Sequence, residues 1–453
     1  MYRKIHIYYS FVFFILGLLI IKVNILYGSS LTFDGEIRER FETMDGVNKK
    51  TYGDSSIDAK GIKRGDSDDT LLLQRIFAGF TYSLNSRIKL ALHLYDSRAW
   101  GWSLNQNDFI KNKGTSDEFV MDPYEEYLEL LNAYFYVKDL FIKGFSMKLG
   151  RQRIWYGDRR VFGPGCWGNA IGWLWDAIRF SYRKNRWFVD FWYGQTKTKD
   201  PESFSLIHKH VFQGVGMYSH FQLQDYGAIE PFFAWKNNLF HHVVPEEDTY
   251  YIGARFYNKN FHNINWDFTY VSKLGKIGDK TVRAYAYVAK IGYTFNKFPW
   301  RPNLVIGRVF ASGDSNPSDG VIKTFTKPFG STCGIHYGRM DIMSWSNLVD
   351  NQISLYLSPY QYINIKFAFH DFNLDKPEDK WMYFGYKNKQ GNSYKHLGNE
   401  FDFQLCWNLH KNIKLAIIYA YFEAGDFVIH NVENNNAQHF FLQFQYKFSV
   451  KIK

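Results

Sequence analysis

The chain has 453 residues, a formal charge of +11 and a mean hydropathy of −0.35, yet 20% of it is Phe, Tyr or Trp. Past the N-terminus no apolar run is long enough for a membrane helix, which excludes a helical bundle in lipid, and no clustered basic stripe marks a nucleic-acid surface. A basic, aromatic chain of negative hydropathy fits a barrel wall, in which only alternate residues meet lipid and aromatic girdles mark both interfaces.

Arg3 and Lys4 precede a mostly apolar run over 11–21, Lys22 interrupts it, and Gly28, Ser29 and Ser30 follow. A basic start, a short apolar middle and small residues predict a secretory signal over residues 1–30, with the mature protein at 31–453. A permanent membrane anchor is the rival reading, and Lys22 and the short apolar core argue against it. Removing the signal deletes three cations, Arg3, Lys4 and Lys22, and leaves the chain basic. Three widely spaced cysteines, Cys166, Cys333 and Cys406, include no CxxC. A Cys166–Cys333 bridge between two long loops is compatible with an oxidising compartment.

The rest reads as period-two segments separated by turn residues. Ile88, Leu90, Leu92 and Leu94 alternate with Lys89, Ala91, His93 and Tyr95. Ile363, Ile365, Phe367 and Phe369 alternate with Asn364, Lys366, Ala368 and His370. Phe401, Phe403, Leu405 and Trp407 face away from Asp402, Gln404, Cys406 and Asn408, and Phe440 to Phe448 continue the pattern. Successive strand residues point to opposite faces, so each segment has one apolar and one more polar face. Roughly eighteen strands of about 9–14 residues can be drawn, the length of tilted membrane strands.

The connections sort by length. Short ones are expected at Asn85, Lys184-Asn185, Gln224-Asp225, Phe261-His262, Pro359-Tyr360 and His410-Lys411. Long ones are expected over 43–69, 100–126, 156–174, 197–208, 238–248, 313–347, 373–398 and 425–436. A soluble sandwich has no reason to alternate its loops in this way. The predicted fold is all-β: a single-domain transmembrane antiparallel β-barrel with short periplasmic turns and long extracellular loops.

Strand parity then selects interior residues. Asp34, Glu36, Arg38 and Arg40 oppose Leu31, Phe33, Ile37 and Phe41; Arg75 opposes Ile76; Arg179 and Arg183 oppose Ile178 and Phe180; Arg255 opposes Ile252 and Phe256. Charge facing lipid near the midplane costs about 2–4 kcal/mol per Arg or Lys, so these side chains are expected inside. Asp190, Asp267 and Asp402 are acidic candidates for the same interior. Opposite charges that pair across strands would stiffen the wall; unneutralised arginines would make the passage anion-selective.

The stretch GRQRIWYGDRRVFGPG at 150–165 is less simple. Arg151 and Arg153 share parity with Phe145, Met147 and Leu149, so either the strand leaves the hydrocarbon by Gly150 or a bulge there flips the faces. Arg159 and Arg160 lie in the following loop. They form or brace a constriction, or else contact lipopolysaccharide and neighbouring carboxylates. Guanidinium suits a carboxylated cargo because its planar fork pairs bidentately with carboxylate. Gly-Asp pairs at 313–314 and 425–426 read as turn formers before calcium ligands. His241-His242 beside Glu246, Glu247 and Asp248 reads as a solvated loop, and no serine or carboxylate can be tied to the inward His93 or His370 as a catalytic set.

Four ordered stretches carry a family resemblance: LGRQRIWYGDRRVFGPGCWGN through IGWLWDAIRFSY at 149–182, FASGDSNPSDGVIKTF at 310–325 leading into HYGRMDIMSWSNL, HDFNL at 370–374, and GNEFDFQLCWNLHKNIKLAIIYAYFEAGDF at 398–427. Together the chain resembles the alginate export family of outer-membrane proteins. The resemblance implies an eighteen-stranded barrel with an arginine-rich, electropositive passage for an acidic polysaccharide. The expected protein is an outer-membrane channel of a Gram-negative-type envelope, passing anionic solutes without covalent chemistry, cofactor or metal. Its expected partners are membrane lipid and lipopolysaccharide, an anionic polysaccharide or small anionic solute, and a periplasmic export apparatus, with no nucleic acid. A nutrient porin, an outer-membrane hydrolase and a plugged structural or adhesive barrel stay open as alternatives.

Overall fold

The computed structural model describes residues 29–55, 57, 67–114, 118–165, 168–197, 210–238, 245–330 and 335–452. Nearly all of the expected leader, both Cys166 and Cys333, and the His241-His242 pair lie outside the described residues.

Eighteen long strands form the barrel. In chain order they are β1 (Ser30–Asp45), β2 (Asp69–Ser83), β3 (Ile88–Trp100), β4 (Glu126–Lys138), β5 (Phe145–Gln152) and β6 (Trp175–Lys184). Next come β7 (Trp187–Lys197), β8 (His210–Gln222), β9 (Ala228–Asn237), β10 (Glu247–Phe261), β11 (Ile264–Ile277) and β12 (Lys280–Thr294). The last six are β13 (Asn303–Ala311), β14 (Leu348–Tyr360), β15 (Ile363–Asn373), β16 (His396–His410), β17 (Ile413–Ala424) and β18 (Ala437–Ile452). Each pairs antiparallel with its sequence neighbours, and β1 closes the sheet on β18, from Leu31 opposite Ile452 to Asp45 opposite Gln438. The residues after Phe448 thus belong to the closing strand. Closure leaves no unpaired edge, the condition for a sheet to stand in lipid.

The outer wall is written by the apolar phase of each strand: Leu90, Leu92, Leu149, Ile252, Ile291, Ile306, Ile353 and Phe401 are all exposed there. At the short-turn end exposed aromatic residues gather, among them Phe141, Tyr226, Phe298, Trp300, Tyr360 and Tyr362. Such a ring is the interfacial girdle of a membrane barrel.

Short turns at 84–87, 139–144, 185–186, 223–227, 262–263, 295–302, 361–362 and 411–412 alternate with long loops, as the spacing predicts. Two differences follow from register. The turn expected at Pro359-Tyr360 falls two residues later, because β14 keeps pairing with β15 through Tyr360. On the long-loop side, β11 and β12 are joined by Gly278 and Asp279 alone, since their pairing runs unbroken to Ile277 opposite Lys280. Gly278 supplies the positive φ (55°) that so tight a hairpin needs.

The barrel is not an empty tube. The loops over 153–174 and 312–347 fold inward, and the main buried cluster joins their apolar residues to inward strand residues. Trp175 and Phe329 pack edge to face with ring centres 4.7 Å apart. Trp345 donates its indole N–H to the Phe310 carbonyl at 2.9 Å, so its polar end is satisfied although it is buried.

Candidate solute-permeation site

The two inward loops meet across the interior. Phe162 and Phe329 form a parallel bridge, with Gly163 N–H donating to the Phe329 carbonyl (3.0 Å) and Phe329 N–H to the Val161 carbonyl (3.3 Å). A Cβ at Gly330 would overlap the Arg160 carbonyl oxygen, so only glycine lets the two backbones close this strap.

The GDRR turn holds the strap. Gly157 (φ 54°) and Arg159 (φ 69°) take left-handed backbone, and the Asp158 carboxylate accepts from the Arg160 amide (3.0 Å) and guanidinium (2.9 Å). Arg160 Nη2 donates to His336 Nδ1 at 3.3 Å, and His336 Nε2 donates to the Asp158 carbonyl at 2.9 Å. Both ring nitrogens are thereby assigned, and the ring is the neutral Nε2–H tautomer. Burial, followed by the Arg160 charge, pushes the His336 imidazole well below its usual range. Burial would raise the Asp158 carboxyl, but Arg160 outweighs it and holds the group far below ordinary carboxylates. Arg160 also lies over Tyr337 and Trp345, with ring centres 5.3 and 5.5 Å away.

The other arginines separate by counter-ion. Arg38 donates to the Gly168 carbonyl (2.8 Å) and to Asn169 Oδ1 (2.9 Å), seating the 153–174 loop on the wall. Arg75 binds Glu36 at 3.1 Å and also reaches the Asn169 carbonyl. Arg40 binds Glu42 at 2.6 Å. Arg255 grips Asp267 with two bonds, 2.8 and 2.7 Å, and touches Glu230 at 3.4 Å. Arg183 is half exposed, 3.3 Å from the buried Asp190, which also accepts the Tyr156 hydroxyl (2.8 Å). Asp34 meets His93 (3.2 Å), and Asp402 accepts from the Arg339 amide (3.2 Å).

Gly150 has φ 119°, but the ladder passes through it without an offset, so no bulge forms. Arg151 stands opposite Asp176 and binds it with 2.5 and 2.8 Å contacts. It continues through Glu129 to Lys197 and Glu126, a buried network at the long-loop ends of β4 to β7. Arg153 instead lies over Phe77 and Trp155, and Arg159 over Trp155. The four arginines of the stretch therefore have distinct settings.

One set of interior cations lacks carboxylate partners. Lys89, Tyr136, Lys148 and Arg179 follow one another directly across the ladders of β3, β4, β5 and β6. Among the described residues, Lys89, Lys148 and Arg179 form no ion pair with a carboxylate. Lys148 rests on the Tyr134 ring at 4.1 Å, with the charges of Arg179, Arg153 and Lys89 acting on it and the Asp190 carboxylate opposing them. Farther round, Lys290 donates to Gln352 at 2.6 Å and Lys366 lies over Tyr356 at 5.7 Å. The four lysines lie toward the short-turn ends of their strands, and Arg179 lies midway along β6.

The profile of the alginate export family matches residues 31–441. The chain belongs to the alginate export family. No curated protein matches it by sequence. Among solved structures it is similar to OprD of Pseudomonas aeruginosa, an outer membrane protein (9% identity, 94% of this chain and 95% of that one, TM-score 0.58). It is also similar to OccAB2 of Acinetobacter baumannii (11% identity, 94% and 100%, TM-score 0.59). At these identities the likeness shows the fold alone. Family and fold make this alginate export family member an outer-membrane β-barrel channel. The lysines of its interior row had a signal in the sequence, since Lys89 and Lys366 occupy the polar phase of their strands; parity marks them as clearly as it marks the arginines.

Proposed function

We propose that this channel passes anionic solutes, namely acidic polysaccharide or oligosaccharide of the alginate type, with its interior cations setting the selectivity. The observation that carries the reading is the Lys89–Lys148–Arg179 row, which faces the interior and forms no ion pair with a carboxylate among the described residues. Such a row lowers the entry cost of an anion. Its several modest contacts allow release as well as capture, as conduction requires. Arg38, Arg40, Arg75, Arg151, Arg160, Arg183 and Arg255 hold the loops and wall through hydrogen bonds and ion pairs. Membrane lipid and lipopolysaccharide surround the barrel, and a periplasmic apparatus supplies polymer if transport is outward.

A nutrient porin is the second reading, and the strap favours it: two loops bridged inside a barrel suit small solutes better than a polymer. Single-channel recording across a salt gradient separates the two. Anion-selective current that falls as uronate oligomers are added supports the first reading. Anion-selective current indifferent to oligomers supports the second, and a cation-selective current removes both the row and its role.

A further inference from the structure

Arg308 stands on the outer face of the barrel. Along β13 it shares the outward phase with Leu304, Ile306 and Phe310, and it is exposed like the first two. A guanidinium that meets hydrocarbon is destabilising unless its surroundings compensate. The protein compensates only in part. Arg308 Nη1 donates to Asn351 Oδ1 at 3.2 Å, and among the described residues the guanidinium forms no ion pair with a carboxylate. Asn351 Nδ2 in turn donates to Asp371 Oδ2 at 3.1 Å. Asp371 Oδ1 accepts from Asn373 at 2.9 Å and lies 3.4 Å from His396. Asn351 thus holds the guanidinium in place and leaves its other N–H groups for an acceptor from outside the chain.

The ladders set these groups in a row. Ala289, Arg308, Asn351 and Asp371 stand opposite one another across β12, β13, β14 and β15. The next outward row toward the short turns is Ile291, Ile306, Ile353 and Phe369, all apolar. Ala289 is small and stands between Phe268 and Arg308, so the wall dips there. The result is a recess of about 560 Å³ in the outer wall, lined by Phe268, Ile306 and Ile353 with Arg308 and Asp371 on its polar row. Arg308, Asn351 and Asp371 all lie toward the long-loop ends of their strands, which places the polar row in the extracellular leaflet.

An apolar trough below a held cation fits an amphiphile with an anionic head. A second copy of this chain fits less well: a two-fold contact would set recess against recess, and two concave surfaces leave a void between them. We infer that the outer face of β12 to β15 is a binding site for a phosphorylated glycolipid of the extracellular leaflet, of the lipid A class. Its phosphate pairs with Arg308, whose planar fork suits two phosphate oxygens. An acyl chain lies in the recess against Ile306 and Ile353. Asp371, whose side chain is 34% exposed, accepts from a hydroxyl or amide of the sugar head. The site is on the outer wall and is independent of what the channel passes.

Native mass spectrometry of the full chain in mild detergent tests this, with bisphosphorylated lipid A, its dephosphorylated form and phosphatidylglycerol as probes. Lipid A is expected to stay bound at least tenfold more tightly than either of the others. Arg308→Leu extends the apolar surface and leaves the ladders alone, so it should keep the parent's melting temperature and weaken lipid A retention about tenfold. Ala289→Phe, which fills the recess and keeps the charge, should weaken it as well; Arg308→Lys, which keeps the charge without the fork, should lose only a few-fold. Parent-like retention in Arg308→Leu would sink the site, and so would equal binding of the dephosphorylated form. Equal binding of phosphatidylglycerol would overturn the assignment to a glycolipid. A parent dimer that carries no lipid and dissociates in Arg308→Leu would give the face to a second copy of the chain and overturn the inference.

Discussion

The two halves of the barrel interior use cationic residues differently. In the extracellular half several buried cations have a carboxylate: Arg40 with Glu42, Lys49 with Asp341, Arg151 with Asp176, Lys236 with Glu247. In the periplasmic half Lys89, Lys148, Arg179, Lys290 and Lys366 form no ion pair among the described residues, Lys148 and Lys366 lying over rings and Lys290 donating to an amide, although Arg183 with Asp190 and Lys447 with Glu36 pair there. Packing explains the difference. Loops folded into the upper interior bury its charges, and a buried charge must be paired or it destabilises the fold by several kcal/mol. On the proposed reading, paired charges hold the structure and the unpaired cations meet the passing ion.

Charge reversal breaks this comparison most severely. Lys148→Glu with Arg179→Glu places two carboxylates on neighbouring strands of the lower half. The anion-to-cation permeability ratio is expected to fall on the order of tenfold or invert. Reversal potentials in a salt gradient measure it. Lys236→Gln, in the upper half, serves as the contrast and should leave the ratio nearly unchanged, because Glu247 retains Lys273 as a partner at 3.3 Å. Equal shifts from both changes would erase the distinction between the halves.

The alternation of Ile88 to Tyr95 or Ile363 to His370 made the barrel legible, because lipid on one side and water on the other impose a two-residue period. Turn positions were less legible: Pro359-Tyr360 looks like a turn, yet pairing with β15 carries the strand past it. Counter-ions were not legible at all. Arg38 and Arg75 lie directly opposite each other on β1 and β2, an arrangement that parity alone would read as repulsive. Glu36 on the same strand face and Asn169, brought in by a distant loop, resolve it. Likewise nothing local in the sequence pairs His336 with Asp158; their contact exists only because Phe162 and Phe329 join two loops.

Loosening that junction is the next largest effect. Arg160→Ala leaves Asp158 buried without its guanidinium, and breaking such a pair costs about 3–5 kcal/mol. The loss falls on the strap, not on the ladders, so the variant should keep its barrel and its resistance to thermal unfolding while single-channel conductance rises several-fold. Unchanged conductance would mean that the strap does not narrow the path. Selectivity should persist, since the lower row is intact, and its loss would tie the two halves together.

Acid probes the same strap more gently. His336 is neutral in the fold because burial and Arg160 depress it, with Lys290 and Asp158 as its other charged neighbours. A depressed folded value means that the opened loop binds a proton more readily than the closed one. The closed strap is therefore fully favoured above the unperturbed histidine value, about 6.5, and loses stability as pH falls below it, by ~1.4 kcal/mol for each unit of depression traversed. Asp158 adds nothing over this interval, because its carboxyl is ionised in both states until pH nears the usual carboxylate range, about 4. Amide exchange at Gly163 and Phe329, the two donors of the bridge, should quicken between pH 7.5 and 5.5 beyond what intrinsic chemistry gives. In His336→Gln the pH dependence should flatten, because the amide keeps a donor and an acceptor but takes no proton. Protection that is the same at both pH values in the parent would show that the strap holds without the neutral imidazole, leaving the Asp158–Arg160 pair and the Phe162–Phe329 bridge to hold it.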